Sequence, residues 1–148
     1  MKSKSIMIGW RAALLLAVFA FIGGILCIFA PDFILNAKFP GYTGQAWDSF
    51  ASANEDLANL YRIDLREAGG MWFSIATLMT GVALTGYRQG EKWAWFTFLV
   101  AGVFACGSPI YVGITTGCWV CWIMGAISLI PLATAILVPA RTILTSNR

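Results

Sequence analysis

The sequence predicts an all-α integral membrane protein: an antiparallel bundle of four transmembrane helices carrying one amphipathic helical loop on its outer side. Three observations carry this. Apolar residues make up 59% of the chain and charged residues 11%, against about 45–50% and about 25% in soluble domains. The charges are segregated and leave four stretches free of them, at 12–30, 68–87, 93–114 and 118–139. Each approaches the roughly 20 apolar residues that a helix needs to cross a bilayer, and none alternates like a barrel strand. The basic residues are also asymmetric. With the N-terminus inside, the inner segments hold Lys2, Lys4, Arg11, Arg88, Lys92, Arg141 and Arg148 against Glu91 alone. The outer loops hold Lys38, Arg62 and Arg66 among Asp32, Asp48, Glu55, Asp56, Asp64 and Glu67. This positive-inside bias puts both termini in the cytoplasm and loops 31–67 and 113–117 outside, as in a bacterial inner (plasma) membrane. The whole chain, 1–148, reads as a single membrane domain.

Several functions are disfavoured. There is no basic patch beyond the topogenic set, so nucleic acid is not an expected partner. There is no histidine, hence no usual general base, metal ligand or haem ligand. No ionisable residue lies deep in a span, where pumps and transporters usually place one. The expectation is a non-enzymatic chain without a metal.

The first span, 12–30, follows a short basic arm that ends at Trp10. It is longer than the roughly 7–15 apolar residues of a signal peptide, and no clean small-x-small site follows, so an uncleaved helix is expected. Gly23-Gly24 fits close helix contact, and Cys27 reads as a small buried hydrophobe. Pro31-Asp32 ends this span. In the 37 residues from Pro31 to Glu67, Pro40-Gly41-Tyr42-Thr43-Gly44 reads as a turn. Trp47, Phe50, Ala51, Leu57, Leu60 and Tyr61 then recur at helical spacing. Ser52-Ala53-Asn54-Glu55 fits a capping box, where one helix ends and another begins. The segment is expected to lie on the outer surface with Trp47, Phe50 and Tyr61 as interface or lipid contacts. The plain reading is a cap over the helix ends; the functional alternative is a lid over a lipid or quinone pocket.

Arg66 and Trp72 flank the approach to the second span and suit lipid phosphates and the interfacial belt. Gly69-Gly70 permits close backbone approach, and Ser74, Thr77, Thr80, Gly81 and Thr85 are expected to face neighbouring helices. Arg88-Gln89-Gly90-Glu91-Lys92 is a tight inner turn, which predicts that the second and third spans pair as a hairpin. Trp93 and Trp95 mark the inner aromatic belt. Pro109 should kink the third span and free carbonyls near Ala105 and Cys106. The stretch 113–117 is a minimal outer turn, and the fourth span is expected to end at Pro139, before a basic tail.

One constellation carries chemistry. In Thr116-Gly117-Cys118-Trp119-Val120-Cys121-Trp122 the two cysteines lie one helical turn apart on one face. Unpaired N–H groups at a helix start lower thiol pKa values, and the outer side is oxidising in a bacterial envelope. Disulfide exchange needs those conditions. The bland alternative is a hairpin corner with two packed or disulfide-bonded cysteines, anchored by Trp119 and Trp122 in the interface.

This pair and its position are similar to those of the vitamin K epoxide reductase family, where a C-x-x-C opens the last helix of a four-helix bundle next to quinone. That resemblance implies catalytic roles for Cys118 and Cys121 and a quinone as the one conceivable cofactor. The family's loop cysteines have no counterpart in 31–67, so electrons would come from a partner or through Cys27 or Cys106. Over more of the chain, Pro31-Asp32, Arg66-Glu67-Ala68-Gly69-Gly70 and Arg88 through Trp95 resemble the DoxX-like and DUF4345-like groups of small four-helix bacterial membrane proteins. Some DoxX-like relatives are membrane subunits linked to quinone-dependent oxidation of sulfur compounds. Three functions stay open: an accessory subunit contacting the bilayer and other membrane subunits or its own copies, a thiol–disulfide redox protein, or a lipid or hydrophobic-ligand binder.

Overall fold

The computed structural model describes residues 3–145. Among them every regular element is helical: α1 (Lys4–Phe29), α2 (Pro31–Thr43), α3 (Trp47–Ala53), α4 (Glu55–Val82, continued by a π-helical turn Ala83–Tyr87), α5 (Lys92–Thr116) and α6 (Trp119–Leu144). Four of these, α1, α4 with its π turn, α5 and α6, are long and apolar enough to cross a membrane.

α1 is the central helix. It packs along α4 on one side and α6 on the other, and α6 packs along α5. Its buried positions explain the two-sided packing. Gly9, Ala13, Ala17, Ala20 and Gly24 recur every three or four residues and are buried with Leu16. Small side chains on one stripe let backbones approach, so that dispersion contacts hold the helices together. The hairpin expected between the second and third spans is corrected here. α4 and α5 are joined by a tight turn but meet mainly through the π turn, because α1 and α6 fill the space between them. The spatial order is α4, α1, α6, α5.

Each expected glycine pair does its work through one member. A Cβ on Gly24 would lie 3.0 Å from the Gly69 carbonyl, and one on Gly69 would lie 2.9 Å from the Gly24 carbonyl. Nothing lies within 4 Å of such an atom on Gly23 or Gly70. The α1–α4 crossing is therefore backbone against backbone at Gly24 and Gly69. The hydroxyls expected to face neighbours turn back instead. Ser74, Thr77, Thr80 and Thr85 donate to the carbonyls of Gly70, Phe73, Ala76 and Gly81 in their own helix, which satisfies them locally.

Several expected boundaries move. α1 begins at Lys4, so most of the basic arm is helical. The turn expected at 40–44 is the end of α2: Pro40 costs one hydrogen bond, to Asn36, in the last turn, and Gly44 closes the helix at φ 72°. The outer amphipathic helix and the second span form one continuous helix, because nothing between Leu57 and Ala76 interrupts the backbone. The break at Asn54 lies where the sequence puts it, but no capping box forms. Ser52 donates to Ser49, and the Asn54 side chain donates to the Phe50 carbonyl. Helix α6 continues through Pro139 to Leu144.

Most of the buried hydrophobic residues form two clusters. One fills the bundle around Leu16, Met79, Tyr87, Phe98, Leu132 and Ile143. The other lies at one end, where Leu35, Phe39, Trp47, Ala58 and Leu65 join α2, α3 and the start of α4 into a cap.

Candidate functional site: an aromatic cap and a disulfide corner

The cap is held by one carboxylate and one indole. Pro31 and Asp32 occupy the first turn of α2, where a fixed φ and a negative charge both suit a helix start. Asp32 Oδ1 accepts from Trp47 Nε1 on α3 at 2.7 Å and from Arg62 Nε on α4 at 2.9 Å. The guanidinium also lies 5.6 Å from the Trp47 ring centroid and donates to Asn59 Oδ1 at 3.0 Å. Three helices thus meet on one oxygen. Partial burial pushes the Asp32 carboxyl up, but the hydrogen bonds from Arg62 and Trp47 and the charges of Arg62 and Arg66 prevail and hold it below the ordinary aspartate value.

Around this node Phe39, Trp47, Phe50 and Tyr61 contact one another with centroids 4.7–6.1 Å apart, mostly edge to face. Trp47 was expected as an interface or lipid contact, and that placement is corrected. It is completely buried, because its N–H has found a carboxylate and its ring three aromatic partners. Phe50 is half-buried, while Tyr61 and Arg66 are exposed and Trp72 is half-buried. On the cap surface Asp48, Ala51, Ser52, Glu55 and Arg62 line an open groove of about 350 Å³.

The second feature is the corner between α5 and α6. Gly117 closes α5 at φ 65°, and Cys118 is the N-cap of α6 in an extended conformation. Cys118 and Cys121 are joined in a disulfide, with Cα atoms 5.3 Å apart. Cys118 Sγ accepts the Cys121 N–H at 3.2 Å, so the sulfur fills the capping role that a serine oxygen usually fills. Cys118 is fully buried and Cys121 half-buried, while Trp119 and Trp122 are exposed. The two free cysteines, Cys27 and Cys106, sit apart from the pair. Cys106 meets α6 at Gly125, one turn further along than Cys121, and Cys27 lies against Gly69.

Cap and corner touch through backbone. A Cβ on Gly41, near the end of α2, would overlap the Thr116 carbonyl oxygen and lie 3.1 Å from the Thr116 carbonyl carbon. One on Gly117 would lie 3.5 Å from Gly41 Cα. Sequence reasoning missed this contact, and it missed the Asp32–Trp47–Arg62 node. Both join residues far apart in the chain, and Gly41 had the appearance of ordinary turn chemistry.

A third site was also missed, at the opposite end of the bundle. Pro139 has no N–H to offer the Ala135 carbonyl, and its ring displaces the preceding turn. Tyr87, at the end of the π turn, donates its hydroxyl to that carbonyl. Trp95 Nε1 donates to the next one, Ile136, at 3.0 Å. Trp95, expected in an interfacial belt, is instead buried. A carbonyl freed by a proline and served by a side chain of another helix, the arrangement anticipated at Pro109, is present at Pro139. A proline within an apolar run, with a tyrosine and a tryptophan elsewhere to serve it, was the available signal.

Comparison with protein families, with curated proteins and with solved structures finds no match for this chain.

Proposed function

We propose that the chain is an accessory integral membrane protein, a four-helix subunit whose ordered outer cap presents a docking surface to other membrane subunits. The cap carries this reading. A mere connection between two spans would need no such device as α2, α3 and the first turns of α4 locked on Asp32 and a four-ring aromatic cluster. The surface so held is acidic: Asp48, Glu55, Asp56, Asp64 and Glu67 are all exposed. In the proposed topology the cap and the Cys118–Cys121 corner lie outside, both termini lie in the cytoplasm, and Trp119 and Trp122 rest in the outer interface. A bacterial inner membrane is the setting that the charge bias favours. A photo-crosslinker at Asp48 or Glu55 in native membranes is expected to trap a discrete partner chain, and the adduct should weaken when the other acidic residues are neutralised. Lipid adducts alone would sink the proposal.

A second reading is supported by the disulfide. A cystine at a helix N-terminus, half accessible through Cys121, can exchange with a dithiol, and the departing Cys118 thiolate is stabilised by the Cys121 N–H. Quinone would then be the natural electron acceptor. Thiol trapping in intact cells tests it: the pair should cycle between oxidised and reduced forms as respiration is switched on and off. A pair that stays oxidised throughout is structural.

A further inference from the structure

We propose that the Cys118–Cys121 disulfide is a redox-sensitive clasp for the end of α2: oxidised, it holds the α5–α6 corner in the shape on which Gly41 seats; reduced, it lets the end of α2 lift.

The seat is made of backbone. Gly41 approaches Thr116 and Gly117 so closely that a Cβ on Gly41 would overlap the Thr116 carbonyl, while one on Gly117 would just touch Gly41. A contact of this kind depends on where the corner's main chain runs, because there are no long side chains to take up a shift. The corner's path is set by Gly117 in the left-handed region and by Cys118 immediately after it. Cys118 is tied to Cys121 and fully buried. Two thiols cannot occupy the positions of two bonded sulfurs. Cys118 has no free space in which to move away, so reduction must displace either Cys121 or the backbone at 117–118. The Asp32 node ties the start of α2 to α3 and α4, so loss of the corner's shape frees the end of α2 next to the link at 44–46, and not its start.

The chemistry needs a dithiol reductant. Its thiolate attacks Cys121 Sγ, the accessible sulfur, forming a mixed disulfide and releasing the Cys118 thiolate. The second thiol of the reductant then displaces Cys121. Two electrons and two protons pass to the protein, and the reductant leaves as a disulfide. The inference requires no electron transfer to a further substrate and no partner subunit, so it stands or falls separately from both functional readings.

The test is amide hydrogen exchange on the full chain in lipid nanodiscs, with dithiothreitol as the reductant. Reduction is expected to raise exchange at 39–47 by about tenfold while the middle of α1 and of α6 stays protected. Cys118→Ala/Cys121→Ala should show the same exchange without reductant and no further response to it. Gly41→Ala, which cannot seat, should match both with its disulfide intact. The idea is overturned if thiol titration shows the pair reduced while exchange at 39–47 is unchanged. It is equally overturned if exchange rises to the same extent along α1 and α6, since that is loss of the fold and not release of the end of α2.

Discussion

Replacing Asp32 tests the cap most sharply. In Asp32→Ala the buried Trp47 N–H loses its only acceptor, at about 1–3 kcal/mol for an unsatisfied buried donor. The ion pair with Arg62 is half-exposed on the aspartate side and contributes less than about 1 kcal/mol. Together the loss is about 1–4 kcal/mol, which corresponds to a rise of at least roughly fivefold in cap opening. Asp32→Asn keeps an acceptor for the indole and should cost about 1 kcal/mol, or roughly fivefold. Hydrogen exchange over 31–67, with α5 as an internal reference, reads this directly. The pH dependence has a definite sign. The folded carboxyl titrates below its unfolded value, so its contribution is complete above the ordinary aspartate pKa and fades as pH falls through the folded one. Wild type should therefore lose cap protection in acid, whereas Asp32→Asn should be flat over that interval. If exchange in Asp32→Ala rises less than twofold, the carboxylate does not hold the cap and the argument fails.

Other perturbations separate contacts that look alike in the sequence. Gly69→Ala forces a Cβ to within 2.9 Å of the Gly24 carbonyl and should cost about 1–3 kcal/mol, lowering the unfolding midpoint in detergent. Its neighbour Gly70→Ala meets nothing and should be neutral or gain up to about 1 kcal/mol of helix propensity. Tyr87→Phe strips the Ala135 carbonyl of its donor. The loss should be about 0.6 kcal/mol, the average for hydrogen bonds between membrane helices, and at most about 1.7 kcal/mol, and Pro139→Ala in the same chain should recover it by restoring the backbone donor. Gly113→Ala places a Cβ 2.7 Å from Trp122 Cα, so it should separate α5 from α6 near the disulfide corner and raise exchange on both sides of it.

The long helices were legible because four charge-free stretches of about 20 residues have the length and composition of membrane-crossing helices and leave few alternatives. Their order in space was not legible. Short turns suggested that sequence neighbours pair, yet the small-residue stripe of α1, from Gly9 to Gly24, draws α4 and α6 to it and separates α4 from α5. A pattern of small residues is visible in the sequence, but the number of faces it serves is not. The break at Asn54 was legible because a helix start there has a polar signal. The helix through Pro40 was not, since proline followed by glycine is turn chemistry unless packing overrides it, as Leu35 and Phe39 do here. At the candidate site the C-x-x-C spacing announced the disulfide corner. The Asp32–Trp47–Arg62 node and the Gly41 seat depend on contacts between residues up to some 76 positions apart, which no local pattern encodes.

In the function proposed above this chain works as one subunit among others, docked through its cap. Native mass spectrometry of particles taken from untreated membranes in mild detergent tests it most directly. The expected particle is heavier than the 16.1 kDa chain, made up with a second protein or further copies, and falls to the monomer when Asp48, Glu55 and Asp56 are neutralised. A particle of one chain with lipid alone, unchanged by those substitutions, would contradict it.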